Sequence, residues 1–129
     1  MRRRVAGAPV GRLGTVTSDG RPHLVPCCFA LVGDTIYSAV DSKPKTTTRL
    51  KRLANIEANP IGSLLVDQYD DDWTNLWWIR VSGPARVTDD EPEAVDALVA
   101  KYHQYRETRP TGPVLAIDID DWRAWQFTT

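Results

Sequence analysis

The amino-acid sequence predicts an α+β fold in which antiparallel strands form a small barrel and two helices interrupt them. Three observations support this prediction. The 129 residues suit one domain with one core, spanning residues 1–129. Strand-like segments come in runs joined by short turns, whereas a doubly wound sheet would alternate single strands with helices. The sequence also lacks a P-loop and the glycine-rich fingerprint of dinucleotide-binding folds.

The first third of the chain predicts three strands separated by two tight turns. The strands are expected at residues 10–17, 23–31 and 35–40, and the turns at Ser18-Asp19-Gly20 and Gly33-Asp34. In the second strand, alternate side chains from His23 to Leu31 share one face. Pro26 has no backbone N–H for a neighbouring strand, so we expect an open edge or a bulge there.

Two helical segments follow, each ahead of further strands. Residues 46–58 have helical composition, with threonines to cap the start and Asn59-Pro60 to end it. The second helix is expected to begin at Glu91-Pro92 and to carry one apolar stripe as far as Tyr105. The remaining strands are expected at residues 61–68, 76–88, 114–119 and 123–127.

Composition and charge point away from nucleic acid and membrane partners. With 42% hydrophobic and 26% charged residues and a net charge of -1, the chain has no global attraction for polyanions. No apolar stretch is long enough to cross a bilayer, and the arginines after Met1 precede too short an apolar run for a signal peptide. Cys27 and Cys28 are adjacent and are expected to be reduced, because a disulfide between neighbours would be strained. We therefore expect a cytoplasmic protein.

The segment 41–52 is the most informative for function. It holds five cations and, after its first position, no acidic residue. The cations are Lys43, Lys45, Arg49, Lys51 and Arg52. Backbone N–H groups at a helix start favour an anion, and threonine hydroxyls, Thr47 among them, add donors. At about 100° per residue, Lys45, Arg49 and Arg52 share one stripe. The segment predicts a phosphate site, with a solvated basic face as the alternative.

Several short motifs, in their order and spacing, resemble the pyridoxamine 5'-phosphate oxidase-like family of split β-barrels. They are GRLGTV at 11–16, DGRPHLVP at 19–26, LANIEANP at 53–60 and SLLVD at 63–67. Three more are similar to an actinobacterial subgroup that uses the deazaflavin coenzyme F420. These are YDDDW at 69–73, LWW at 76–78 and WRAW at 122–125.

The resemblance implies a homodimer whose two cofactor sites lie at the subunit interface. It implies that a basic pair, here Lys51 and Arg52, holds the cofactor phosphate. The strand containing His23, Val25 and Pro26 would flank the ring system. Relatives carry a helix ahead of the first strand, and here only about nine residues precede it.

Three functions are compatible with these features. The first is an F420-dependent oxidoreductase that transfers a hydride to a small organic acceptor. The second is an FMN-dependent oxidase or reductase, and the third is a carrier of flavin or deazaflavin without catalysis. Lys43 and Lys45 favour the deazaflavin, whose phosphodiester tail is longer. No Ser-His-Asp or Cys-His signature identifies a catalytic residue, and two histidines are too few for a metal site.

Overall fold

The structure, a computed structural model, describes residues 1–39 and 47–128, with backbone only for residues 47–50. Among these residues the chain forms eight strands, four α-helices and one 3₁₀ turn. In chain order they are α1 (Arg2–Gly7), β1 (Gly11–Val16), β2 (Pro22–Cys27), β3 (Ala30–Val32), β4 (Thr35–Ala39), α2 (Thr47–Ala58), β5 (Ile61–Gln68), the 3₁₀ turn (Trp73–Asn75), β6 (Trp77–Thr88), α3 (Pro92–Lys101), α4 (His103–Glu107), β7 (Val114–Asp118) and β8 (Asp121–Gln126). No helix in the described part of the chain has both the length and the apolar character that a membrane span requires.

The strands form one antiparallel sheet that stays open. Its order is β2-β1-β5-β6-β7-β4-β3, and β8 pairs with β6 beside this path. The pairings between neighbouring strands are all antiparallel in the described part of the chain. The end strands β2 and β3 do not pair with each other, so the barrel is split. This confirms the predicted α+β split barrel.

The long strand β6 joins the two halves of the barrel. One edge pairs with β5, while the other pairs with β8 through residues 77–82 and with β7 through residues 85–88. The chain passes from β7 into β8 directly beside Gly83. A Cβ atom at Gly83 would overlap the carbonyl oxygen of Asp118, so only glycine allows this close approach of two backbones.

Helix α2 is fixed to the first hairpin by two asparagines, Asn55 within the helix and Asn59 just after its end. The Asn55 side chain donates to the Thr15 hydroxyl at 3.1 Å, and both residues are buried. The Asn59 side chain donates to the Thr17 carbonyl at 2.9 Å. Ile56 is buried in the main core beside them. These contacts fix the position of the helix that carries the predicted phosphate-binding cations.

The second predicted strand, residues 23–31, was wrong as a single element. The chain breaks it at Cys28 and Phe29, so that β2 pairs with β1 in one half of the barrel and β3 pairs with β4 in the other. The alternation of side chains continues across the break, which is why the sequence pattern does not reveal it.

Side chains at the end of α3 and in β4 make the backbone hydrogen bonds at this break, where Cys28 and Phe29 lie outside the described strands. The Phe29 N–H donates to the Tyr102 hydroxyl at 3.0 Å, and the Lys101 ammonium donates to the Phe29 carbonyl at 2.9 Å. The Ser38 hydroxyl donates to the Cys28 carbonyl at 2.8 Å. We call the two contacts from Lys101 and Tyr102 the Phe29 clamp. Because buried backbone groups are almost always paired, these side chains allow the chain to cross from one half of the barrel to the other.

The expectation of two helices was also wrong, because four are found in the described part of the chain. The second predicted helix ends at Lys101 and restarts at His103, with Tyr102 in an extended conformation (φ -114°, ψ 122°). That conformation lets the Tyr102 hydroxyl donate to the Pro9 carbonyl at 3.0 Å as well as accept from Phe29. Tertiary hydrogen bonds thus override a continuous helical stripe.

The fourth helix, α1, comes from the short segment ahead of the first strand. Its one buried residue is Val5, which packs into the main core. Arg2 and Arg4 flank it and lie over the rings of Trp122 and Trp77, at 5.1 and 4.8 Å from the ring centroids. The few residues before β1 are therefore enough to form the helix that the family resemblance implies.

We predict that Lys101 makes the stability of the fold rise with pH between 8 and 10. Burial against Phe29 lowers the Lys101 pKa to about 8 from 10.5. In that pH range the unfolded chain binds more protons at this residue than the folded chain does, so the free energy of unfolding increases with pH. Urea unfolding of the wild type and Lys101→Met should show a difference, wild type minus variant, that grows from pH 8 to pH 10. A difference that stays constant or falls would contradict the assignment.

Candidate functional site

A cleft of about 330 Å³ opens at the split in the barrel. It lies where β2 ends, beside the end of β4, and α2 and α4 contribute further walls. The residues lining it are Val10, Pro26, Cys27, Cys28, Ser38, Ala39, Arg52 and Tyr105. We call it the Arg52 cleft. The break in the strand at Cys28 and Phe29 brings these distant segments of the chain together.

Arg52 is the cation that reaches this cleft from α2. Its side chain is half-buried, and its Nε atom is buried without a hydrogen-bond partner among the described residues. A buried donor of a charged group is rarely left unpaired, because the lost hydration costs free energy. The planar guanidinium matches the oxygens of a phosphate or carboxylate. Arg52 is therefore suited to holding an anion in the cleft.

Two thiols line the cleft next to Arg52. Both cysteines are free, with Cys27 buried and Cys28 exposed. Burial raises the pKa of the Cys27 thiol, and a hydrogen bond with Ser38 and the charge of Arg52 offset that rise only in part. Cys27 is therefore a neutral, weakly polar wall of the cleft at neutral pH and not a nucleophile.

The Phe29 clamp supports the aromatic wall of the cleft. Tyr105 packs edge-on against Tyr102, with ring centroids 5.7 Å apart. Burial raises the pKa of Tyr102 to about 12, so its hydroxyl keeps the proton that it donates to Pro9. The same tyrosine that satisfies the Phe29 backbone thus positions a lining residue of the cleft.

Only part of the predicted cofactor site comes together in this cleft. Of the eight predicted binding residues, Arg52 and Pro26 line it. Lys51 is exposed on α2 next to Arg52. Thr47 and Arg49 lie in α2, but their side chains are outside the described residues, as is Lys45 altogether.

His23 and Val25 lie elsewhere among the described residues. They pair with Thr15 and Leu13 across the β1–β2 hairpin and share the inward face of those buried residues. Val25 packs against the main core, and the His23 side chain is half-buried, with a buried Nδ1 atom that has no partner within the described part of the chain. Neither is among the described residues lining the Arg52 cleft. Their role beside a cofactor ring stays a prediction.

The sequence interpretation missed three kinds of residue that build the site. Ser38 and Ala39 stand at the end of β4, directly ahead of the basic segment, and that adjacency is the one signal that could have found them. Tyr105 belongs to an apolar stripe that is typical of core packing. Lys101 acts on Phe29, 72 residues away in the chain, and no local pattern marks such a contact.

The described side chains do not assemble a metal site. No group of three or more His, Cys, Asp or Glu residues lies together in the part of the chain that the structure describes. The Arg52 cleft offers the Arg52 cation and weakly polar walls, a combination that suits an anionic ligand with a flat apolar part.

Solved structures with the same architecture come from several bacteria. A conserved hypothetical protein from Mycobacterium tuberculosis has a TM-score of 0.74 at 21% identity, covering 96% of this chain and 81% of that one. An FAD-binding protein from Mesorhizobium loti has a TM-score of 0.74 at 20% identity, covering 98% and 92%. The heme storage protein HutZ from Vibrio cholerae has a TM-score of 0.72 at 10% identity, covering 97% and 90%. At these identities the likeness establishes the fold.

The sequence itself carries the family assignment. No curated protein matches the chain. The family described as pyridoxamine 5'-phosphate oxidase, however, matches residues 1–126, which include every described strand and helix. This chain therefore belongs to the pyridoxamine 5'-phosphate oxidase family.

Proposed function

We propose that the chain is an oxidoreductase that binds a phosphate-bearing flavin-type cofactor at the Arg52 cleft. The observation that carries the proposal is the buried Nε atom of Arg52, which has no hydrogen-bond partner among the described residues and lies on the helix that the sequence predicts to be cationic. The FAD-binding relative from Mesorhizobium loti shares the fold and supports a cofactor of this class.

The residues that would hold the cofactor differ in how far their side chains are exposed. Arg52, half-buried, would pair with the phosphate, and Lys51, exposed beside it, would add a screened charge. Lys45, Arg49 and Thr47 are proposed to extend this contact on the strength of the sequence alone. The backbone N–H groups at the start of α2 favour an anion in the same region.

The cleft provides orientation and partial exclusion of water. A flavin or deazaflavin supplies hydride transfer when bound, so the protein needs no nucleophile of its own. The neutral Cys27 thiol and the Tyr105 ring give the cleft an apolar side, and Ser38 adds a hydroxyl. These groups would hold a flat ring system in place while Arg52 fixes the anionic tail.

Coenzyme F420 is the proposed cofactor, with FMN as the alternative on the same cleft. The argument is the cation run beyond the basic pair, at Lys43 and Lys45, which suits a longer anionic tail. A carrier without catalysis would bind the same cofactors. Oxidation of the reduced cofactor by a panel of unsaturated acceptors would distinguish the enzyme from the carrier.

We further propose that the protein is a homodimer. The outward face of strands β2, β1, β5, β6 and β8 has no buried residue, whereas the inward face of β2, β1, β5 and β6 does. It presents Leu24, 73% exposed, together with Pro26, Leu65, Trp78 and Trp125. Exposed apolar faces of this kind are typical of interfaces.

Light scattering at micromolar concentration should return the mass of two chains. Leu24→Glu should shift the wild-type dimer toward monomer, because it places a charge in the apolar face. Glu57→Gln, an exposed change on α2, serves as the control and should leave the mass unchanged. A wild-type monomer would contradict the dimer proposal.

Cofactor affinity should depend on Arg52 more than on any other described residue. A charge-assisted contact is worth about 1.5–3 kcal/mol, so Arg52→Gln should weaken binding by roughly 10- to 150-fold. Lys51→Gln should have a smaller effect, because its charge is exposed. Titration of F420 and of FMN into each variant, followed by calorimetry, measures these effects.

Two controls test the location of this site. His103→Ala on α4 and Arg21→Gln in the first turn alter exposed side chains outside the Arg52 cleft. Both should bind cofactor like the wild type. Equal losses from Arg21→Gln and Arg52→Gln would place the cofactor on another surface.

The preference for F420 over FMN should decrease when Lys43 and Lys45 are both changed to Ala. The two lysines are proposed to contact the longer tail of F420, so FMN binding should change less. Added salt should reduce the preference in the same direction, because exposed charges are screened. An unchanged ratio of the two dissociation constants would show that these lysines do not discriminate, and a wild type that binds only FMN would exclude the F420 assignment.

A further inference from the structure

The N-terminal helix α1 carries three arginines, and only one of them is neutralised by a carboxylate in the described part of the chain. Arg2 pairs with Asp34 and donates to the Gly33 carbonyl at 2.7 Å. Val5, buried at the centre of the helix, anchors α1 to the core. Arg2 and Val5 therefore hold the helix in place without Arg3, and Arg4 adds contacts with Trp77 and Gln126.

Arg3 and Arg4 lack an acidic partner among the described residues. The Arg4 guanidinium lies 4.8 Å from the centroid of the Trp77 ring and contacts the Gln126 side-chain oxygen at 3.4 Å. Arg3 has neither a hydrogen bond nor an ion pair from its side chain within the described residues. Two neighbouring cations are thus left with charge available to a ligand.

Both arginines line a second cavity, of about 560 Å³, that we call the α1 cavity. Its remaining walls are Met1, Ile79, Ala124, Trp125 and Gln126. Ile79 and Ala124 are cross-strand partners in β6 and β8 and form an apolar floor. Trp125, 42% exposed, borders the cavity at the edge of the sheet, and its side chain belongs to the outward face of β8. No acidic side chain is among the described lining residues.

We propose that the α1 cavity binds a small carboxylate with an apolar body. Its volume suits a small organic molecule, its apolar floor suits that body, and the guanidinium groups of Arg3 and Arg4 suit a carboxylate. The cavity shares no described lining residue with the Arg52 cleft, so this site is separate from the proposed cofactor site and does not depend on it.

The proposal is tested with two probes that differ in charge. Naphthalene-2-carboxylate and naphthalene-2-methanol have the same ring, and binding is followed by calorimetry on the full chain without added cofactor. The wild type should bind the carboxylate at least about 10-fold more tightly than the alcohol. This preference should decrease with added salt, because the arginines are exposed.

Variants of the two α1 arginines test whether these side chains cause the preference for the carboxylate. Arg3→Gln changes a side chain that makes no hydrogen bond or ion pair among the described residues, so it should lower carboxylate affinity while leaving the melting temperature unchanged. Arg3→Gln combined with Arg4→Gln should abolish the preference. Arg21→Gln, an exposed arginine elsewhere, and Arg52→Gln, in the other cleft, should retain it.

Several results would overturn the proposal. They are no measurable binding of the carboxylate to the wild type, equal affinity for the two probes, and an unchanged preference in the double variant. A loss of preference in Arg52→Gln as large as in the double variant would place the probe in the Arg52 cleft. That last result would overturn the α1 site and leave the cofactor proposal standing.

Discussion

Phe29 lies between two strands in different halves of the barrel, and the end of a helix makes its backbone hydrogen bonds. Tyr102 accepts from its N–H and Lys101 donates to its C=O, while the side chain is fully buried. A chain that leaves one end of the sheet and re-enters at the other must find hydrogen-bond partners for the backbone groups in between. Without the Phe29 clamp, the break would leave two buried backbone groups unpaired, each at a cost of roughly 1–3 kcal/mol.

The Arg52 cleft depends on that break. β2 stops at Cys27 and β3 starts at Ala30, and between them Cys28 is exposed beside Ser38, whose hydroxyl donates to the Cys28 carbonyl. Tyr102 also places Tyr105, so one residue connects the strand break, the helix break and the aromatic wall. Arg52 then enters from α2, which Asn55 and Asn59 hold to the first hairpin. The anion site is thus a consequence of how the barrel is split.

Local patterns in the sequence were enough to predict most of the helices and strands and part of the candidate site. Strand β5 occupies the predicted residues 61–68, because alternation and the Asn59-Pro60 stop define both ends. Arg52 was identified from helical spacing and charge. The break at Phe29 could not be predicted, since alternation continues through it and its partners are about 70 residues away. Tyr105 reaches the cleft through its packing on Tyr102, and Ser38 reaches it at the end of β4, where its hydroxyl bonds the Cys28 carbonyl.

Hydrogen exchange at the Phe29 amide tests this account most directly. In the wild type the amide should exchange slowly, as the amides of β7 do, because it is buried and bonded to Tyr102. In Tyr102→Phe the Phe29 amide should exchange much faster, while the β7 amides change only as far as global stability changes. Rapid exchange of Phe29 in the wild type, or equal protection in both proteins, would contradict the central role of the Phe29 clamp.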